Sequence, residues 1–172
     1  MRMTSQTGVG LMEVLVAMLL LALAVMGFSA LQVRSVAATN ESANRTLGLS
    51  LIRSVAEEMR VNAAGSADFV TALNAGTPAT KTCLGTVTTA PVYCTPQEAA
   101  IYTAAQLDTN ATKNGMNLQV VNCPGVVQTR QCIIAAWDKT SATVGSDADK
   151  DCIDSSTNKY FRKATCLMAE AY

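Results

Sequence analysis

The chain has 172 residues, no histidine and a formal net charge of zero, with 13 basic and 13 acidic side chains. A neutral chain with few aromatic residues argues against nucleic acid as a partner, because phosphate binding requires a basic surface. The absence of histidine removes the serine–histidine triad, the commonest general base and most zinc chemistry. These totals favour a structural or binding protein, without cofactor or metal, over an enzyme.

All six cysteines lie beyond residue 82, and none forms a Cys-x-x-Cys pair. An even number of cysteines behind an apolar segment indicates disulfides formed in an oxidising compartment. Several pairings are possible, and buried free thiols are the alternative to all of them. We favour pairs of sequence neighbours, which are Cys83 with Cys94, Cys123 with Cys132, and Cys152 with Cys166.

An uncharged apolar segment runs from Val14 to Val33, directly after the carboxylate of Glu13. It is long enough to cross a bilayer as a helix at about 1.5 Å per residue. A cleaved secretory signal peptide is one interpretation, but the apolar run is longer than usual and begins at a carboxylate. A plain single-pass anchor is another, and it leaves a costly charge at the edge of the hydrocarbon unexplained.

The stretch TGVGLMEVLVAMLLLALAVMG, which begins at residue 7, resembles the N-terminus of type IV prepilins and pseudopilins. In that family a short leader ends in glycine, and glutamate is the fifth residue of the mature chain. The resemblance implies a leader over residues 1–8 and cleavage by the prepilin peptidase between Gly8 and Val9, which places Glu13 fifth. It also implies methylation of the new amine at Val9, where the family most often has phenylalanine or methionine.

The resemblance further implies that the Glu13 carboxylate pairs with the N-terminal amine of an adjacent subunit. A buried carboxylate without a partner is strongly unfavourable. A helix that slides along its neighbour would therefore find one position in which both charges are satisfied, so Glu13 would set the register of assembly. A carboxylate that merely extends to the membrane interface is the alternative.

The apolar stem, residues 9–33, is expected to continue as an amphipathic helix over residues 34–62. Its apolar stripe recurs every fourth residue, at Leu47, Leu51, Val55 and Met59. Gly65 is expected to stop the helix. Residues 63–172 would then form a disulfide-bonded globular head.

The head contains helix and strand signals in its second half. A short helix is predicted to end at Gly76, and a longer one to begin at Thr95, because Thr95, Pro96 and Glu98 match a capping box. Strands are predicted over residues 116–122, 131–138 and 159–168. We therefore expect an α+β, type IV pilin-like fold in which the long helix packs on an antiparallel sheet of about three or four strands.

The stretch GSDADKDCIDSS, from residue 145, carries Asp147, Asp149, Asp151 and Asp154 in a pattern similar to a calcium-binding loop. However, Cys152 stands where an EF-hand requires glycine, and Asn158 where it requires glutamate. We therefore predict a solvated turn between strands and no metal site.

The stretches CTPQEAAIY, CIIAAWD and the apolar stem resemble PilV-type minor pilins. This resemblance implies a low-copy subunit, held in the bacterial inner membrane with a periplasmic head, that joins a tip or priming complex of the pilus. The implied partners are other minor pilins, the major pilin, the prepilin peptidase, the inner-membrane assembly platform and, before assembly, the lipid bilayer. A minor pseudopilin of type II secretion and a ligand-binding, adhesive tip pilin are the alternatives.

Overall fold

The computed structural model of the chain describes residues 10–83 and 93–171. Two compact units are distinguished, residues 1–43 and residues 44–172. Helix α1 (Leu11–Val61) belongs to both, and a 3₁₀ turn (Ala63–Gly65), α2 (Ser66–Ala75) and α3 (Pro96–Lys113) follow it. The predicted continuation of the apolar segment into a second helical half is confirmed.

The described part of the head contains five strands in two groups. The strands are β1 (Met116–Asn122), β2 (Gln131–Trp137), β3 (Ser141–Gly145), β4 (Asp151–Asp154) and β5 (Cys166–Glu170). The first, second and fifth strands make an antiparallel sheet in the order β1-β2-β5, whereas β3 and β4 form a separate parallel pair. A long helix packed on an antiparallel sheet confirms the predicted α+β, type IV pilin-like fold, and the parallel pair is an addition that the sequence did not indicate.

One face of the antiparallel sheet packs against the helices. The predicted apolar stripe of α1 contributes to this contact: Leu51 and Val55 are buried in it, and Leu47 and Met59 pack beside them. Three side chains of β2, Ile133, Ala135 and Trp137, belong to this main core. Residues of α2 and α3 complete it. The amphipathic pattern therefore predicted this contact correctly.

The other face of β2 is buried as well. Ile134 and Ala136 lie in a second core with Ala142 of β3 and Ile153 of β4. A strand buried on both faces is a continuous apolar run rather than an alternating one. Burial on both faces explains the apolar run CIIAAW in β2, whereas the sequence predicted packing of the sheet against the long helix alone.

Two sequence predictions in the last quarter of the chain were wrong. The segment 159–168 is a strand only from Cys166, because Tyr160 bridges to Ile153 of β4 and the chain then turns, with the N–H of Ala164 donating to the carbonyl of Phe161 at 3.1 Å. The aspartate-rich segment is a turn only as far as residue 150. The next residues form β4, whose Cys152 and Ile153 are buried.

Local signals placed the two helices of the head correctly. α2 is capped by Gly76 in the left-handed region at φ 59°, which a glycine adopts without steric cost. At the start of α3, the hydroxyl of Thr95 accepts from the N–H of Glu98, and the Glu98 carboxylate accepts from the N–H of Thr95. The capping box thus satisfies two backbone donors that a helix start leaves unpaired.

Candidate functional site

Most of the exposed large hydrophobic side chains of the described chain lie in the stem and the residues just after it, between Leu11 and Val36. Residues 10–40 are exposed throughout. α1 contains a stretch of 18 residues with a mean hydropathy of 2.7, and none of these residues is buried. α1 is long and apolar enough to cross a membrane. A signal sequence near the N-terminus meets the same criteria of length and composition. An apolar helix surface of this size requires either lipid or the apolar surfaces of other helices around it.

Glu13 lies in the first turn of α1, and its side chain is exposed. Its backbone N–H donates to the carbonyl of Gly10 at 2.9 Å. A carboxylate is favoured at this end of a helix because the helix dipole is positive there. Gly8 and Val9 lie outside the described residues, so the cleavage site, the methylation of Val9 and the pairing of Glu13 with an amine stay predictions.

One polar and one small residue of the stem, Ser29 and Gly27, fit apolar surroundings. The hydroxyl of Ser29 donates to the carbonyl of Val25, one turn earlier, at 2.8 Å. A hydroxyl satisfied inside its own helix is compatible with apolar surroundings. A Cβ added at Gly27 would meet no atom within 4 Å. This part of the stem therefore presents a low surface that another helix can approach closely. The hydrogen bond of Ser29 has no signal in the sequence pattern.

Three disulfides hold the head together, and no cysteine is free. They join Cys83 with Cys94, Cys123 with Cys132, and Cys152 with Cys166, which are the neighbouring pairs that the sequence favours. The first lies beside the capping box of α3, where the ammonium group of Lys81 contacts the Glu98 carboxylate at 2.9 Å. The third joins β4 to β5 through the second core.

The four aspartates predicted to lie in a turn serve local structure. The Asp151 carboxylate accepts from the hydroxyl of Thr143 at 2.6 Å and from the N–H of Asp147 at 2.8 Å. These bonds, the Thr143 hydroxyl first, hold the pKa of Asp151 below its ordinary value of 3.8. The Asp154 carboxylate is likewise bonded to Ser156 and Thr157. Among the described residues no group of three or more metal-binding side chains comes together.

A wide cleft with a volume of about 690 Å³ lies in the head, and its lining residues are polar or charged. Side chains of both charges line it, and Lys163 contacts Asp149 at 3.4 Å. Both of these side chains are at least 80% exposed, so water screens the pair strongly. The cleft lining contains no aromatic ring on which a sugar could stack; it comprises Asp138, Lys139, Thr140, Asp149, Lys163 and Thr165.

One comparison with known proteins gives a match. The Tt1218-like family, described as Type IV pilin Tt1218, matches residues 30–105. This range contains the end of the stem, the remainder of α1, the whole of α2 and the start of α3. No curated protein and no solved structure matches the chain.

Proposed function

We propose, from the match of residues 30–105 to a type IV pilin family, that the chain is a minor pilin of the PilV type that helps to initiate pilus assembly. It would act in a tip or priming complex with other minor pilins and the major pilin. The observation that carries the proposal is the exposed apolar stem of α1, which continues into a helical part that is packed in a disulfide-bonded head.

The stem would have two environments in succession. Before assembly, residues 9–33 would lie in the bacterial inner membrane, after the prepilin peptidase has removed residues 1–8. During assembly, the inner-membrane platform would move the stem from lipid into a bundle of like stems. Both environments are apolar, so the free energy of the stem changes little, and close packing at small residues favours the bundle.

Glu13 would fix the register of that bundle. Contact between apolar helices is non-directional, so the many positions along the stem have similar energies. A Glu13 carboxylate paired with the amine of Val9 on an adjacent subunit would select one position, because breaking a buried pair costs about 3–5 kcal/mol. The exposure of Glu13 and its place in the first helical turn support this role.

The mass of the N-terminal peptide tests the proposal. The full chain is isolated from the membrane and from sheared surface fibres of its host. A peptide that begins at Val9, with or without a methyl group, is expected in both fractions. A start at Met1 would contradict prepilin processing, and a start beyond Ala30 would identify an ordinary signal peptide. A Val9 start in the membrane alone would favour a secretion pseudopilin over a pilus subunit.

A Glu13→Gln variant tests the registry role separately from processing. Its membrane fraction should still begin at Val9, while its amount in sheared fibres falls by about tenfold or more, since an unpaired buried charge costs several kcal/mol. Glu57→Gln is the matched control, because Glu57 is an exposed carboxylate on the same helix within the head unit. Equal incorporation of both variants would contradict the role of Glu13.

A further inference from the structure

We propose that a pocket of the head, lined by α2, α3, β1 and β3, binds a primary ammonium group carried on an unbranched alkyl chain. A lysine side chain and a free aliphatic amine both present such a group. The inference goes beyond the proposed function, because it concerns a ligand of the head and does not depend on the stem or on pilus assembly.

The pocket has the size and the apolar surface that an alkyl chain requires. Its volume is about 290 Å³, close to the lower end of the range for small-ligand sites, about 300–1,000 Å³. Leu73, Leu118 and Ala142 line it, and all three belong to the buried cores of the head. An alkyl chain can therefore lie against apolar surface, whereas a polar group at its end needs hydrogen-bond partners in the rest of the lining.

Two asparagine side chains hold the lining in place. The amide of Asn117 donates to the carbonyl of Thr140 at 3.2 Å and accepts from the N–H of Ala142 at 2.6 Å, which ties β1 to β3. Asn74, near the end of α2, is bonded to the backbone of Val120 in β1. Both amides are already satisfied, so they preorganise the pocket and leave the recognition of a ligand to other groups.

Three other polar side chains of the lining have no bonding partner among the described residues. They are Asp108 of α3, Gln119 of β1 and Ser141 of β3, and each residue is partly buried. Every fully buried side-chain polar atom of the described chain is paired, so these unpaired groups are open to solvent and to a ligand. A carboxylate, an amide oxygen and a hydroxyl oxygen are all acceptors, and an ammonium group has three N–H donors and no acceptor.

The charge of the pocket also favours a cation. Of the described residues that line it, Asp108 alone is charged. Its Oδ2 would lie 3.8 Å from a Cβ on Gly76, so the carboxylate is next to the end of α2. The carbonyl end of a helix carries partial negative charge, and it therefore favours a cation in the same place as the carboxylate does. A neutral hydroxyl-rich ligand would leave this charge uncompensated.

Titration of the full-length chain in a nonionic detergent tests the pocket without any variant. The probe is n-butylammonium, and the readouts are the NMR signals of the Gly76 N–H and the Gln119 side-chain amide, which both lie in the lining. Both signals should shift to saturation. Binding should be at least about tenfold tighter than for tetramethylammonium, which has the charge without N–H donors, and for n-butanol, which has the alkyl chain without the charge.

Absence of a shift, or equal binding of n-butylammonium and either comparison compound, would overturn the proposal. A capped lysine, Nα-acetyl-lysine N-methylamide, then distinguishes the two sources of the ammonium group. Tighter binding of the capped lysine than of n-butylammonium would identify a lysine side chain of a partner protein as the ligand. Tighter binding of n-butylammonium would identify a free aliphatic amine, and either order supports the pocket.

Asp108→Asn tests the role of the carboxylate. The affinity for n-butylammonium should fall about tenfold, the factor for a hydrogen bond to a charged group. The urea midpoint should stay nearly unchanged, because the Asp108 carboxylate has no partner among the described residues. Asp149→Asn is the matched control, since that carboxylate is exposed and lies outside the pocket lining. Equal affinities of the two variants would overturn the assignment.

Discussion

The carboxylate of Asp151 lies against the Cα of Gly145, in the space that a Cβ would occupy. Gly145 is the last residue of β3 and Asp151 is the first residue of β4, and these two strands form a parallel pair. Parallel strands usually require a long crossover, whereas these are joined by residues 146–150 alone. The carboxylate makes this short return possible, because it bonds both to Thr143 and to the N–H of Asp147.

Gly145→Ala should destabilise the head by about 1–3 kcal/mol, the usual cost of overpacking. The new methyl group would overlap Asp151 Oδ2 and lie 2.7 Å from its Cγ, so the carboxylate must leave its two donors. Urea unfolding of the full chain in detergent, followed by fluorescence of the one tryptophan, Trp137, measures the loss. Ser146→Ala, at an exposed neighbouring position, should leave the midpoint nearly unchanged. An equal effect of both changes would contradict this account.

Asp151→Asn should destabilise the head at neutral pH and lose this effect in acid. The pKa of Asp151 is lowered first by the Thr143 hydroxyl and then by the Asp147 N–H. A carboxyl with a lowered folded-state pKa contributes stability above its unfolded value of 3.8, and this contribution disappears as the pH falls through the folded value.

The difference between wild type and Asp151→Asn should therefore be about 1–3 kcal/mol at neutral pH. It should shrink as the pH is lowered below 3.8. Unfolding midpoints measured over this range test the prediction. Asp149→Asn is the control, because that carboxylate is exposed and only weakly paired. A difference that stays constant with pH would show that the charge of Asp151 is not what holds the turn.

Gly65→Ala should be among the most damaging single changes in the head, at about 3 kcal/mol or more. A Cβ at this position would overlap the carbonyl of Pro96 and lie 2.8 Å from the Cβ of Ala100. The same junction contains the bond from the Asn62 amide to the carbonyl of Pro96, at 2.7 Å. The change therefore separates the end of α1 from the start of α3, and a lower melting temperature measures it. A variant as stable as the wild type would contradict the close approach.

This junction illustrates what the sequence could predict. Gly65 was identified as the end of the long helix, and Thr95 with Glu98 as the start of another, because both signals are local in the chain. That the two sites meet through Asn62 and Pro96 is a long-range contact with no local pattern. The side-chain amide of Asn74 accepts from the N–H of Val120 in β1 and donates to its carbonyl, both at 2.8 Å. This contact was missed for the same reason, since an asparagine near a helix end indicates only a cap or a turn.

The parallel pair β3–β4 could not be predicted because its signals conflict. Aspartates around a short strand indicate a loop, and the two apolar residues of β4, Cys152 and Ile153, form too short a run to outweigh them. Burial against β2 decides the structure instead, and burial depends on the whole fold. The stem is the opposite case: its length and uncharged composition alone determine a helix that can cross a membrane.

Gly48→Ala should stabilise the head by about 0.5–1 kcal/mol, the difference in helix propensity between the two residues. Gly48 is a buried position of α1, and an added Cβ would lie 3.5 Å from the Trp137 ring and 3.6 Å from the Cβ of Ala135. These are ordinary contact distances, so no atom has to move. A rise in the urea midpoint is expected, and a fall would show that α1 requires a closer approach to the sheet.

Removal of different disulfides should separate the contribution of burial from that of loop closure. The Cys152–Cys166 and Cys123–Cys132 pairs are 14 and 9 residues apart, and the chain-entropy contribution is about 3 kcal/mol for each. Cys152 and Cys166 also lie in the second core between β4 and β5. Replacing both by alanine leaves a cavity in that core. In the other pair only Cys132 is buried, and the ends of its loop stay joined by the β1–β2 ladder.

The Cys152→Ala, Cys166→Ala double variant should therefore lose at least about 1 kcal/mol more than the Cys123→Ala, Cys132→Ala double variant, by the cavity cost. Urea midpoints of the two oxidised proteins, read from Trp137 fluorescence, make the comparison. Equal losses would mean that the second core collapses around the missing sulfurs. In that case the β3–β4 layer would be held by Asp151 and by packing rather than by its covalent link to β5.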